Sequence, residues 1–476
     1  MNYGQFLNMI PEAALVAILI IVFFLDFFSS KTSLRKWFNP VVCVFLALQL
    51  LPCLLAPATT AFGEMYVSTA AANAMKLILT AASLIVCIMA KPWLHRSDTS
   101  HREGEFYMLL ISTLLGMYMM MSSGHFLMFF LGLEMASVPM ACLVAFDKKS
   151  KLSAEAGAKY ILTATFSSGV MLYGLSIVYA AMGTLYFEDV AAGLTVTPLA
   201  ILGLVFFFSG LGFKISLVPF HFWTADTYQG APTTVTGYLS VVSKGAAAFA
   251  LCTILMKVFA PMVTHWQYLL YIVIVLSITV ANLFAIRQSE IKRFMAFSSI
   301  SQAGYIMLAV VGNTTAGVTA LMYYILIYVA ANLAVFTVIS LVEQHNGGTT
   351  QIDSYAGFYK TNPKLSFLMT LALFSLAGIP PFAGMFSKFF VFMAAAQQGS
   401  FWAYFVVFIA LINTVVSLYY YLLIVKQMFI RQTDSPLPTF QSDANSKFAL
   451  ALCTVGVILF GVCSFIYEWL NTTAAL

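Results

Sequence analysis

Residues 212–244 read GFKISLVPFHFWTADTYQGAPTTVTGYLSVVSK, and they set a lysine inside each of two apolar runs with a proline between them. The first run, 197–220, closes on Leu217–Val218–Pro219–Phe220, and a polar, aromatic segment from His221 to Gln229 follows. The second run, 231–258, carries Lys244 near its centre. About 20 mainly apolar residues suffice to cross a bilayer, so each run is a candidate span. A charge held in hydrocarbon costs about 2.5–3.5 kcal/mol by insertion scales, which makes a mid-span lysine a pointer to function. Lys244 lies about thirteen residues, roughly 20 Å at 1.5 Å per residue, from either end of its run, too far for its amine to snorkel to water.

The rest of the chain has the same character. Of 476 residues, 61% are hydrophobic and 9% charged, and mean hydropathy is +0.91. Soluble domains carry about 25% charged residues, so a soluble globule is excluded. Fourteen candidate spans follow one another: 9–28, 38–56, 70–90, 105–122, 124–146, 154–182, 197–220, 231–258, 266–286, 290–312, 315–343, 363–396, 401–426 and 446–470. These are continuous runs, not alternating ten-residue strands, so the fold class is all-α and polytopic, not a β-barrel. Only Ser122–Ser123–Gly124 separates spans 4 and 5, which predicts a tight antiparallel pair. The first run has no basic stretch before it and no cleavage site after it, so it is expected to be a retained span.

Of 23 Lys and Arg, 17 gather around the loops that follow odd-numbered spans, and only Lys257 follows an even one. The remaining five, Lys76, Lys159, Lys214, Lys244 and Lys388, lie within spans. By the positive-inside rule the odd loops face the cytoplasm and both termini face the outer, periplasmic side.

Span 12 is interrupted like span 7, by Gly378–Ile379–Pro380–Pro381 in mid-course. Proline removes an amide donor and clashes with the preceding turn. The freed groups need partners in protein or in a water-lined cavity. Interrupted spans at matching places in two halves mark a transport site. With spans 4–8 as one unit and 9–13 as another, spans 7 and 12 are each the fourth member. Five is odd, so the second unit is inverted. The expected organisation is three leading helices (1–104), a first five-helix repeat (105–258), an inverted second repeat (259–426), and a loop with a last span (427–476).

Glu134 in span 5, Lys214 in span 7, Lys244 in span 8 and Lys388 after the break in span 12 form the candidate proton relay. Glu134 and Lys214 are expected to pair across the interface of spans 5 and 7, since an ammonium beside a buried carboxylate makes the pair switchable. A desolvated lysine exchanges protons where arginine does not. The bland alternatives are a static salt bridge at Glu134, snorkelling at Lys214, and a cation satisfying freed carbonyls at Lys388. Ser298, Ser299, Ser301, Gln302, Tyr305, Tyr323, Tyr324 and Asn332 are candidates to hold relay water, or else packing groups. Lys76 and Lys159 are expected to snorkel, and Glu12, Asp26 and Glu468 to be interfacial. The seven cysteines form no C-x-x-C pair, and no histidine falls at mid-span, so no metal or cofactor site is expected.

The segment 212–244, with IKRFMAFSSISQAGY (291–305) and GIPPFAGMFSKF (378–389), resembles the antiporter-like subunits of bacterial respiratory complex I. The resemblance covers roughly 105–426. It implies that Glu134 and Lys214 are a coupled pair, Lys244 the central proton-binding lysine and Lys388 the terminal one. Lys388, where M-type members carry a glutamate, sets the chain apart from them, and the short tail after span 14 sets it apart from L-type members with their lateral helix. The implied function is proton translocation as part of an NADH:quinone oxidoreductase in the bacterial inner membrane. Implied neighbours are an M-type subunit on one side and the K and J subunits on the other. Quinone, flavin and iron–sulfur clusters would belong to other subunits, with no redox chemistry in this chain. Alternatives are a subunit of a multisubunit cation/proton antiporter, a membrane subunit of a hydrogenase-like complex, and a quinone-binding subunit.

Overall fold

A computed structural model describes residues 3–29, 35–96, 98–434 and 436–475. The leading section holds α1 (Ile10–Phe28), α2 (Phe38–Leu55) and α3 (Ala70–Leu94). A small hairpin of β1 (Thr59–Ala61) and β2 (Tyr66–Ser68) joins the last two. Then come α4 (Glu103–Met121), α5 (Phe126–Val144), α6 (Lys151–Met182) and the short α7 (Phe187–Gly193). Span 7 is α8 (Pro198–Ile215) followed by α9 (Phe222–Gly230). Span 8 is α10 (Thr233–Tyr238), a π-helical turn (Leu239–Ser243) and α11 (Lys244–Lys257). The second half holds α12 (Val263–Ile286), α13 (Ile291–Val311), α14 (Thr315–His345) and the short α15 (Phe358–Thr361). Span 12 is α16 (Pro363–Ala377) and α17 (Ala383–Ala396); α18 (Phe401–Phe429), α19 (Ala444–Val462) and α20 (Ser464–Thr473) complete the chain.

Among the described residues, thirteen helical segments are long and apolar enough to cross a membrane, and the broken pair α16–α17, each half too short alone, stands where the remaining expected span lies. Helix starts follow the sequence: Thr69, Ser150, Thr197, Thr314, Ser400 and Asp443 each accept a backbone N–H of the first turn through the side chain. Spans 4 and 5 do form a close pair. A Cβ at Gly116 of α4 would lie 2.4 Å from the Ala136 nitrogen of α5, and one at Gly132 would lie 2.6 Å from the Met120 nitrogen, so only glycine allows the approach. Span 14 departs from the expected continuous run, because the helix stops at Val462 and restarts at Ser464 around an extended Cys463.

The centre of the bundle is α10–α11, α13 and α14. The most apolar window of α13 is 100% buried, against 28% for α18, whose outer face is left to lipid. Hydrophobicity all round α13 and α14 fits helices enclosed by protein on every side. Lys244 therefore sits in the innermost layer.

The two breaks share one backbone design. At the end of α8, Ser216 is left-handed (φ 68°), and the amides of Ser216 and Leu217 bond to the carbonyls of Phe213 and Gly212. At the end of α16, Gly378 is left-handed (φ 88°), and the amides of Gly378 and Ile379 bond to Ser375 and Phe374. Both are Schellman caps, and in each a proline follows three residues after the left-handed one. Further groups at the breaks find internal partners, as burial in lipid demands. The Val218 amide donates to Ser277 Oγ at 2.9 Å and Trp223 Nε1 donates to the Phe213 carbonyl at 3.1 Å. At the other break, the Gly384 amide donates to Ser375 Oγ at 3.2 Å, and Gln302 Nε2 donates to the Leu376 carbonyl at 3.1 Å.

Candidate functional site: a buried lysine relay

Lys214, Lys244 and Lys388 are all buried, at 4%, 2% and 4% exposure. Lys214 closes α8 two residues before the left-handed Ser216. Its ammonium donates to Ser137 Oγ of α5 at 2.6 Å and to Tyr160 OH of α6 at 3.0 Å. The expected contact with Glu134 is not made: no Glu134–Lys214 ion pair occurs among the described residues. Glu134 and Ser137 are neighbours one turn apart on α5, and the lysine reaches the serine instead. Oε1 of Glu134 is buried without a hydrogen-bond partner.

Lys244 opens α11 directly after the π-helical turn, a local widening of the helix that recurs at functional sites. Its ammonium donates to Ser299 Oγ of α13 at 2.6 Å and lies 5.3 Å from the ring centre of Tyr228 on α9. The Tyr228 hydroxyl is 3.2 Å from the same Ser299 oxygen. The half-helix after the first break thus delivers a phenol to the central lysine.

Lys388 lies in α17, beyond the second break. Its ammonium donates to the Ala377 carbonyl at 2.9 Å, a group freed where α16 stops, and sits 4.8 Å from the ring centre of Tyr305. Satisfying a freed carbonyl is the bland role weighed for it, and it is present. The same side chain also lines a cavity of about 10 Å³ with Gln302, Tyr324, Tyr328, Ser375 and Ser387, room for about one water molecule.

Between these lysines run hydroxyls and amides. Tyr324 donates to Gln302 Oε1, Gln302 Nε2 donates to Tyr421 OH at 3.2 Å, and Tyr421 OH is 2.5 Å from Ser298 Oγ. Around the first break the hydroxyls of Ser216, Thr224 and Thr227 are buried with no partner among the described residues. Leaving such a group dry costs about 1–3 kcal/mol, so a water molecule at these positions would be stabilised.

Several sequence expectations change. Tyr323 turns away from the relay: its hydroxyl donates to the Phe460 carbonyl and its ring packs on Phe390 and Tyr467. Asn332 Nδ2 donates to Ser240 Oγ at 2.6 Å, in the turn before Lys244. Ser301 is fully buried beside this layer, and Tyr305 donates to the Ala410 carbonyl at 3.2 Å. Lys76 does not snorkel: it is 0% exposed and pairs with Glu12 at 2.6 Å. Glu12 and Asp26 are buried rather than interfacial, Asp26 meeting Arg35 at 2.6 Å. Lys159 is part-exposed and pairs with Glu155 and Asp226, each at 2.6 Å. Ser137, Tyr160, Tyr228, Tyr328 and Tyr421 were missed. The signal for Tyr228 was spacing, since His221, Thr224 and Tyr228 share one helical face behind Pro219; the break buries His221 as well.

Comparison with known proteins identifies the family to which this fold belongs. Residues 123–414 match the family described as NADH:quinone oxidoreductase/Mrp antiporter, transmembrane. The chain belongs to that family of antiporter-like, proton-translocating membrane subunits. A chain of respiratory complex I from Thermus thermophilus superposes with a TM-score of 0.80 at 31% identity, covering 95% of this chain and 97% of that one. A chain of the Mrp complex from Dietzia, at 19% identity and a TM-score of 0.86, shares the fold over 100% of this chain and 97% of that one. Within the family the chain falls in the subunit N line: NADH-quinone oxidoreductase subunit N of Phocaeicola vulgatus is 60% identical over the full length of both.

Proposed function

We propose that Glu134, Lys214, Lys244 and Lys388 carry protons through this subunit while quinone reduction elsewhere in complex I supplies the energy. The observation behind this is Lys244: an amine in the innermost layer, with a hydroxyl and a phenol as neighbours and no carboxylate pairing it among the described residues. An ammonium so placed is costly and gains and loses its proton readily. Glu134 and Lys214 act on one another through Ser137 and bound water, and a shift of α5 against α8 changes their separation. Lys388 exchanges protons when its hold on the Ala377 carbonyl loosens.

The twin Schellman caps support two inverted repeats, 105–258 and 259–426, with the broken span fourth in each. The basic loops favour the cytoplasmic side for that face and the periplasmic side for both termini. On this reading an M-type subunit lies on one flank and the K and J subunits on the other, and flavin, iron–sulfur clusters and quinone belong to other subunits. The test is the assembled complex in proteoliposomes. Lys244→Ala lowers protons moved per NADH oxidised while leaving assembly intact; normal coupled pumping by that variant overturns the proposal.

A further inference from the structure

On the face that carries the basic loops lies a cavity of about 800 Å³. Its inner wall is the connector between α9 and α10 and the first turn of α10, where Thr233 and Thr234 are buried. Lys292, at the start of α13, is 4% exposed, donates to the Ala231 carbonyl of that connector at 3.0 Å, and meets Glu343 of α14 at 3.7 Å. The Thr233 hydroxyl donates to the same carboxylate. The other lysine–carboxylate pairs among the described residues close to 2.6 Å, so this one is the loosest.

Inward from the pair, Thr234 Oγ1, Thr227 Oγ1 and Asn332 Oδ1 are buried without partners among the described residues. Asn332 reaches Ser240, within the π-helical turn that ends at Lys244. Thr234 and Lys244 are about 15 Å apart along the helix at 1.5 Å per residue, a gap that a short file of water would span. Arg293, next to Lys292, donates to Asp226 at 2.6 Å and to Gln229 at 2.9 Å, so α9 has its own side-chain ties to α13, while the connector and the first turn of α10 meet α13 and α14 through Lys292 and Thr233.

We propose that this cavity is the vestibule through which Lys244 exchanges protons with the basic-loop side, and that the Lys292–Glu343 pair is its gate. The inference rests on the relay reading of Lys244. In the closed state Lys292 ties Glu343 to the connector. A proton taken by the Glu343 carboxylate from cavity water neutralises it and releases Lys292. The proton then passes along the hydrated hydroxyls to the neutral Lys244 amine, and Glu343 returns to a carboxylate.

The experiment uses the assembled complex with Thr234→Cys and a membrane-impermeant maleimide, labelling being counted above that of the parent chain. Expected is labelling from the basic-loop side, about tenfold faster when Glu343→Gln is added, with fewer protons moved per NADH at unchanged turnover. Where Glu343→Gln fails to assemble, Lys292→Met gives the same comparison. Labelling that is no faster in either gate variant, or that comes only from the opposite side, overturns the gate. Lys244→Ala is measured in parallel. If it pumps normally, the relay reading fails; if it does not pump while both gate variants label and pump as the parent does, the gate alone fails.

Discussion

In the leading section Lys76 holds Glu12 at 2.6 Å, and Tyr66, Ser68 and Asn73 stand within 3.4 Å of its ammonium. Glu12 takes a second bond from Tyr66 at 2.9 Å. Lys214 donates instead to Ser137, one turn from Glu134 on α5, Glu134 Oε1 has no hydrogen-bond partner among the described residues, and unpartnered hydroxyls surround the break nearby. Both sites put an acid and an amine inside an apolar bundle. A buried pair closed to 2.6 Å, with further polar partners on both the acid and the amine, is expensive to part and behaves as a staple. An amine held by neutral hydroxyls keeps the freedom to lose its proton or change partner. Burial of charge alone does not mark a relay; incomplete pairing beside water-binding positions does.

The comparison can be broken hardest at Lys76. Lys76→Met strands the Glu12 carboxylate, a loss of about 3–5 kcal/mol, seen as poor assembly and a lowered melting temperature. Adding Glu12→Leu restores much of that stability, with proton pumping per turnover unchanged. If Lys76→Met assembles normally yet stops pumping, the staple is a relay member and the contrast collapses. Lys214→Met is expected to do the opposite, leaving thermal stability near that of the parent while pumping falls about tenfold. A smaller effect belongs to Ser299→Ala, which removes the 2.6 Å partner of Lys244. A hydrogen bond contributes about 0.5–1.5 kcal/mol net, so pumping slows severalfold, and Ser299→Thr recovers it. Smallest is Tyr323→Phe: a stability change within about 1.5 kcal/mol and unaltered pumping, because its hydroxyl serves the Phe460 carbonyl.

Much of the fold was legible because membrane spans announce themselves by composition and length. The tight pair of spans 4 and 5 followed from a three-residue link, and both breaks from proline within an apolar run, joined by a glycine only at the second. The interruption at Cys463 was not legible, since Phe460–Gly461–Val462 offers no proline. At the site, the lysines stood out because charge is rare in apolar runs. Their partners did not. Tyrosine and serine are common in such helices, and only packing separates Tyr324, inside the network, from Tyr323, turned away from it. Lys76 misled for a related reason. Its distance from the helix end suggested snorkelling, while Glu12, on a different helix, was the partner that kept it buried.

The measurement that bears most directly on the central claim is an electron cryo-microscopy map of the assembled complex, sharp enough to place ordered water. The account predicts water at Thr224, Thr227 and Thr234 and in the pocket beside Lys388, linked by hydrogen bonds to the Lys244 amine. A Lys244 sealed by side chains, with no water reaching it from either neighbour, would contradict it.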